Sequence, residues 1–103
     1  MIEDVKIIPL KRFADDRGYL TEILRIDDPY FIKFGQIYVT KLRKGIIKAW
    51  HKHEFQTDFF YVISGTSKIG LFDDRETSST CGQYQTVILG DDGESALLTI
   101  PPL

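Results

Sequence analysis

Residues 58–72, Asp-Phe-Phe-Tyr-Val-Ile-Ser-Gly-Thr-Ser-Lys-Ile-Gly-Leu-Phe, contain two short apolar runs on either side of Ser64-Gly65. Both runs are too short for a typical helix and are rich in aromatic and β-branched side chains, which fit the pleated surface of a sheet. A serine followed by a glycine is a turn signal. The stretch therefore predicts two short β-strands joined by a turn.

The same pattern extends over the whole chain. Its 103 residues include 13 Ile, 4 Val and 8 Thr but only 3 Ala, a balance that favours strands over helices. Turn signals recur at short intervals, and no long window has the apolar periodicity of a helix. The predicted strands cover residues 5–10, 19–26, 36–42, 46–50, 58–64, 67–72, 83–89 and 96–100. This spacing indicates an all-β fold, an antiparallel sandwich or barrel, in a single domain spanning residues 1–103.

Charge and composition exclude several functional classes. With 13 basic and 15 acidic residues the net charge is −2, which offers no positive field for nucleic acid or for an anionic membrane. The longest purely apolar run, residues 59–63, is far too short to span a membrane. The single cysteine, Cys81, cannot form an intramolecular disulfide, and the first residues lack the apolar run of a signal peptide. These features predict a cytoplasmic protein.

The last apolar run, residues 96–100, passes directly into Pro101-Pro102-Leu103. Two prolines end a strand because they cannot donate backbone hydrogen bonds to a neighbouring strand. Either this tail docks into a partner or the domain continues past the last residue, and we expect the second.

The candidate chemistry lies between Gly45 and Gly65. Both histidines of the chain, His51 and His53, fall here two residues apart, so on a strand they would point to the same face. The carboxylate of Asp58 follows at the start of the next apolar run. Such a pattern across a hairpin can hold a divalent metal ion or build a general base. A solvated turn that carries two exposed histidines accounts for the spacing equally well.

This spacing resembles the first signature motif of the cupin superfamily, with Asp58 in place of the usual glutamate. The resemblance implies a cupin-type antiparallel jelly-roll barrel, the double-stranded β-helix. The second cupin motif places a further histidine shortly after an Ile-Pro turn. Residues 100–103 match only the beginning of that turn, which implies a fold that is incomplete at the C-terminus.

Several segments, in the right order, are similar to the dTDP-4-dehydrorhamnose 3,5-epimerase family. They are residues 7–25, with Asp15-Asp16-Arg17-Gly18 at their centre, residues 35–40, residues 45–51 and residues 70–75. The resemblance implies an isomerase of rhamnose-type sugar biosynthesis that removes a proton next to the 4-keto group of a dTDP-hexose. It also implies a homodimer that needs no cofactor.

The resemblance assigns four residues to substrate binding. Arg17 would hold the diphosphate, since a guanidinium donates two parallel charge-assisted bonds to phosphate. Phe13 would pack against the thymine base, Glu22 would accept hydrogen bonds from it, and Gln36 would contact the ligand from the barrel interior. The structural alternatives are a solvated turn arginine, a core or edge phenylalanine, and two polar residues with no ligand.

Two further residues are assigned to catalysis. His51 aligns with the catalytic base of the family, a role that suits an imidazole because its ordinary pKa lies close to working pH. Lys48 stands where the family usually has arginine and would offer positive charge to the keto oxygen or a phosphate. Asp58 departs from the family, which has a lysine there to stabilise the enolate oxygen. An anion at that position opposes the charge that develops in the transition state.

Three other functions remain open at the level of sequence. The first is a metal-binding cupin that uses His51, His53 and Asp58. The second is a non-catalytic module that binds sugar nucleotides. The third is a 3,4-ketoisomerase activity, because related enzymes of that kind also carry a His-x-His pair. The Asp73-Asp74-Arg75 triplet is expected to close a hairpin.

Overall fold

The computed structural model describes all of residues 1–103 and contains seven β-strands and no helix. The strands are β1 (Lys6–Pro9), β2 (Arg12–Asp15), β3 (Gly18–Thr21), β4 (Asp58–Phe60), β5 (Thr66–Phe72), β6 (Tyr84–Gly90) and β7 (Ala96–Ile100). They form a three-stranded antiparallel sheet in the order β1-β7-β4 and two hairpins, β2-β3 and β5-β6. The predicted all-β antiparallel fold is confirmed. No helix that could cross a membrane is present.

Strand β7 is the centre of the core. Its sequence, Ala-Leu-Leu-Thr-Ile, is apolar on consecutive positions, as expected for a strand that is covered on both faces. Its first four residues are all buried, and β1 and β4 pair with it on either side. Leu98 is fully buried and packs in one cluster with Ile2, Val5 and residues of the β5-β6 hairpin.

The β5-β6 hairpin covers this core with one face. Leu71, Val87 and Leu89 point inward and are buried, whereas Lys68 and Ile88 on alternate positions point toward solvent. This alternation is the period of two that a half-buried antiparallel sheet requires.

Two predicted strands are wrong. Residues 36–42 and 46–50 have the alternating or β-branched composition of strands, but the structure has no regular secondary structure there. The physical reason is that no other strand lies beside them, and a strand is stable only when its backbone groups pair with a neighbour. Two further strands are shorter than predicted. Residues 22–26 and 61–64 fall outside β3 and β4.

Residues 22–57, called here the open segment, join β3 to β4. None of its residues is buried, and its three backbone hydrogen bonds each join residues only three apart. Ile47 and Phe55 are 87% and 93% exposed. Because of this segment the radius of gyration is 14.6 Å, larger than the roughly 13 Å of a compact domain of about 100 residues.

The two glycines that bracket the histidine region both lie where the backbone turns with positive φ. Gly45 has a φ of 81° and Gly65 a φ of 78°. Side chains larger than glycine are strained in this left-handed conformation. The two glycines of the predicted motif, Gly45 and Gly65, are therefore required by the backbone conformation at their positions.

Candidate functional site

The β2-β3 hairpin positions two of the predicted substrate-binding residues. Phe13 lies on β2 with half of its surface exposed, and the ammonium group of Lys11 stands 4.8 Å from its ring centre. Arg12 stands in the same way over the ring of Tyr19, at 4.3 Å. The hairpin thus presents aromatic faces and positive charges together, which is a combination that suits a base attached to phosphates.

Arg17 lies in the turn of this hairpin, where Asp15 holds its guanidinium. The Nη2 atom of Arg17 donates to Oδ2 of Asp15 at 2.6 Å, its Nε donates to the same oxygen at 3.2 Å, and its backbone N–H donates to Oδ1 at 2.8 Å. These bonds hold the pKa of Asp15 below its usual range and raise the pKa of Arg17. A phosphate at Arg17 would therefore compete with Asp15, a partner that the sequence pattern did not reveal.

The other predicted contacts lie on the open segment. Glu22 stands 3.7 Å from the guanidinium of Arg25, and Lys48 reaches the hydroxyl of Thr40 at 3.5 Å. Gln36 is exposed and its side chain makes no hydrogen bond. Each of these side chains remains accessible to a ligand.

The two histidines differ in their surroundings. The Nε2 atom of His53 stands 3.6 Å from Oδ2 of Asp58, and the other carboxylate oxygen of Asp58 accepts a hydrogen bond of 2.7 Å from Gln56. His51 is exposed and forms neither a hydrogen bond nor an ion pair. Residues 51–53 lie outside any strand, so the predicted strand geometry for the pair is absent.

This difference bears on the metal hypothesis. The structure brings His53 and Asp58 together, but His51 is not part of a shared cluster. No group of three or more His, Cys, Asp or Glu side chains has an arrangement that could hold a metal ion. A pair of ligands is weaker support for a metal site than the three that the sequence spacing suggested.

A hydrogen-bond network surrounds the buried side chain of Asp73, and the sequence did not predict it. The triplet at residues 73–75 does begin the connection between β5 and β6, here called the β5-β6 loop (residues 73–83). The Asp73 side chain is fully buried and accepts bonds of 2.6 Å from the hydroxyls of Ser78 and Thr80. Arg75 donates to both of its oxygens, through Nε at 2.9 Å and Nη2 at 3.0 Å.

For the pKa of Asp73, the hydrogen bonds from Arg75 and from the two hydroxyls outweigh the effect of burial. The Arg75 guanidinium is the largest cause that holds the pKa of Asp73 well below its usual range, while burial alone would raise it. Arg75 also donates to the backbone oxygen of Glu3 at 2.7 Å, and the Glu3 carboxylate accepts a bond from the N–H of Ser79 at 3.1 Å. The network therefore fastens the N-terminal residues to the β5-β6 loop.

The neighbouring residue Asp74 is exposed and points to the histidine region. Its Oδ2 atom accepts a hydrogen bond of 2.8 Å from Nζ of Lys52, the residue between the two histidines. This bond is the main cause that raises the pKa of Lys52. His53, Lys52, Asp74 and Arg75 line one cleft of about 200 Å³.

The antiparallel strands and the His-x-His motif between two left-handed glycines define a protein of the cupin type. A family model described as dTDP-4-dehydrorhamnose 3,5-epimerase matches residues 1–103. The chain belongs to this family, as the sequence resemblance predicted.

Known proteins agree with this assignment. Spore coat polysaccharide biosynthesis protein SpsL of Bacillus subtilis is 38% identical over 98 residues, which cover 95% of this chain and 65% of the relative. A Haloferax volcanii protein named as a probable low-salt glycan biosynthesis epimerase, Agl13, is 37% identical over 98 residues, which cover 93% of this chain and 63% of the relative.

A solved structure shares the fold over nearly the whole chain. The crystal structure of a dTDP sugar isomerase from Desulfovibrio desulfuricans matches with a TM-score of 0.92 and 35% identity over 98% of this chain and 64% of that chain. The predicted cupin-type fold is thereby confirmed. The chain spans less than two thirds of the length of each of these three proteins.

Proposed function

We propose that this chain binds a dTDP-4-keto-hexose and that His51 removes the proton from the carbon next to the keto group. The contrast between the two histidines carries the proposal. The Nε2 atom of His53 lies 3.6 Å from the carboxylate of Asp58, whereas the imidazole of His51 is exposed and has no hydrogen bond or ion pair. An imidazole with an available nitrogen can accept a proton at neutral pH.

The hairpin and its neighbours would hold the nucleotide. Phe13 offers an exposed ring face for the thymine base, and Arg17 offers a guanidinium for the diphosphate. Since Asp15 occupies two of the guanidinium nitrogens, the phosphate would bind through Nη1 or displace the carboxylate. Glu22 and Gln36 are proposed to bind the base and the sugar with their exposed polar groups.

The charge balance near the keto oxygen favours a slow reaction. As His51 takes the proton, negative charge moves to that oxygen, and Lys48 is the cation proposed to face it. Asp58 is an anion in a position where the family has a cation, and an anion there opposes the negative charge that develops on the keto oxygen. Proton exchange at the substrate carbon is therefore a better assay than formation of the final epimer.

The test is solvent deuterium incorporation into a dTDP-4-keto-6-deoxyhexose, followed by mass spectrometry. His51→Gln should lower the exchange rate by at least about 100-fold, the usual contribution of a general base. The matched variant His53→Gln should lower it much less. The proposal would be contradicted if the exchange rate fell equally in both variants and recovered only when Zn²⁺ or Fe²⁺ was added. That result would favour the metal-binding cupin. Binding of the nucleotide sugar with no exchange would favour the non-catalytic module.

We also propose that two copies of the chain form a homodimer. The support is the number of large apolar side chains that the open segment exposes, among them Ile37, Val39, Ile47 and Phe55, because a stable monomer seldom exposes so many together. Light scattering at several protein concentrations tests this proposal, and a mass of 11.9 kDa at every concentration would contradict it.

A further inference from the structure

The open segment has one polar connection to the rest of the molecule beyond its own junction with β4. Its other hydrogen bonds and ion pairs lie within residues 22–57 or involve Asp58, the first residue of β4. The exception is the bond of 2.8 Å between Nζ of Lys52 and Oδ2 of Asp74, which spans 22 positions in the sequence. Lys52, the residue of the open segment that forms this bond, lies between His51 and His53.

The other end of this connection is firmly held. The N–H of Asp73 donates to the carbonyl of Gln83 at 3.0 Å, and the carbonyl of Asp73 accepts a bond of 2.7 Å from the N–H of Gly82. The next residue after Asp74, Arg75, is fixed by its two bonds to the buried Asp73 carboxylate. Asp74 is therefore an exposed carboxylate between two immobilised neighbours.

The ion pair between Lys52 and Asp74 lies at the edge of a cleft and is exposed to solvent. The cleft of about 200 Å³ beside it is lined by residues 52–54 from the histidine region and by Asp74 and Arg75 from the β5-β6 loop. Lys52 and Asp74 have side-chain exposures of 57% and 59%, so water and salt reach the pair. Its strength must therefore depend on ionic strength.

We propose that Asp74 is a positioning residue, which acts through Lys52 to hold the His51–His53 stretch against the packed part of the molecule. The functional consequence rests on the proposed role of His51 as the base. Asp74 is not proposed to touch the substrate or the reacting atoms. Asp74 would change the fraction of time that His51 spends in the geometry required for proton transfer. That fraction governs the rate of proton transfer but not the affinity for the nucleotide.

The proposal is tested first without any substrate, by ¹⁵N relaxation of the backbone amides of residues 49–55. Asp74→Asn should lower the order parameters of these amides. The matched control Glu76→Gln, an exposed carboxylate of the same loop with no hydrogen bond in this structure, should leave them unchanged. The charge-reversed double variant Lys52→Asp with Asp74→Lys should restore them. Unchanged order parameters in Asp74→Asn, or a failure of charge reversal to restore them, would overturn the proposal.

The second readout is the rate of substrate proton exchange. The exchange rate should fall about two- to fivefold in Asp74→Asn, the range expected for an exposed ion pair, with KM unchanged and with recovery in the double variant. At about 1 M salt, where the Debye length is about 3 Å, the wild-type rate should fall to that of Asp74→Asn.

The two proposals fail in different ways. If the wild-type chain exchanges no proton, the proposed function is wrong, while the relaxation measurement still decides whether Asp74 holds the histidine stretch. If the order parameters fall in Asp74→Asn but the exchange rate does not, Asp74 has no positioning role in the reaction.

Discussion

The strands β1, β5, β6 and β7 and the open segment are opposite kinds of structure in one chain. These strands and the residues just before β1 contain every side chain of the buried hydrophobic cluster, and the network around the buried Asp73 joins the N-terminal residues to the β5-β6 loop. The open segment has no fully buried residue and makes three short-range backbone hydrogen bonds. Yet four of the six residues assigned to substrate or chemistry lie in the open segment: Glu22, Gln36, Lys48 and His51.

This difference between the two regions indicates which contacts determine the geometry of the candidate site. A segment with so few contacts of its own cannot fix the position of a catalytic side chain, because local order follows from buried contacts and hydrogen bonds. The position of His51 must be set by its attachments at the edges. Those attachments are Lys52 to Asp74 and His53 to Asp58.

The largest difference between the regions should appear in stability. Leu98→Ala removes a fully buried side chain from β7 and should lower the free energy of unfolding by about 3 kcal/mol. Ile47→Ala removes a side chain that is 87% exposed and should change it by less than about 0.5 kcal/mol. Urea denaturation followed by circular dichroism measures both. Equal losses would show that the open segment packs in solution.

The polar network should contribute nearly as much as a core side chain. Asp73→Ala leaves Arg75, Ser78 and Thr80 without their common acceptor and should cost about 2 kcal/mol of unfolding free energy. Glu76→Ala in the same loop serves as the control and should stay within about 0.5 kcal/mol of the wild type. A loss below about 0.5 kcal/mol in Asp73→Ala would refute the role assigned to this network.

Acid should act on the packed region through the same carboxylate. The folded-state pKa of Asp73 lies below that of the unfolded chain, so its contribution to stability is complete above about pH 4, the ordinary value for aspartate, and decreases as the pH falls further. The unfolding free energy of the wild type should therefore fall steeply below about pH 4. In Asp73→Asn the fall should be shallower, and identical slopes would contradict the assignment.

The smallest expected effect concerns the β2-β3 hairpin. Asp15→Asn removes the anion that competes for Arg17 and should tighten the binding of dTDP by about two- to fivefold at low salt. The matched variant Asp16→Asn changes a neighbouring carboxylate that makes no hydrogen bond to Arg17 and should have a smaller effect. Weaker dTDP binding in Asp15→Asn would mean that Asp15 orients Arg17 for the phosphate rather than competing with it.

Much of the fold follows from sequence patterns, but the open segment does not. The apolar run of β7 and the alternation in β5 and β6 predict their burial because each pattern matches a sheet face. Residues 36–42 carry the same alternation and form no strand. Alternation of apolar and polar side chains indicates which face of a strand could be buried. A strand also requires a neighbouring strand to pair with its backbone, which local sequence does not specify.

The candidate site shows the same limit. The sequence identified His51, His53 and Asp58 by spacing, and the family by motifs in order. It did not identify Asp15 as the partner of Arg17 or Asp74 as the partner of Lys52. The first pair lies within a turn and could have been found from the proximity of opposite charges two residues apart. The second joins positions 22 residues apart, and only the folded loop brings them together.

The most direct test of the proposed sugar-nucleotide site is a calorimetric titration of the chain with dTDP at fixed low salt, with dUMP as the control nucleotide. We expect selective binding of dTDP that weakens in Arg17→Lys, because an ammonium cannot reproduce the bidentate contact with phosphate. A folded chain that binds neither nucleotide, or binds both equally and is unaffected by Arg17→Lys, would contradict it.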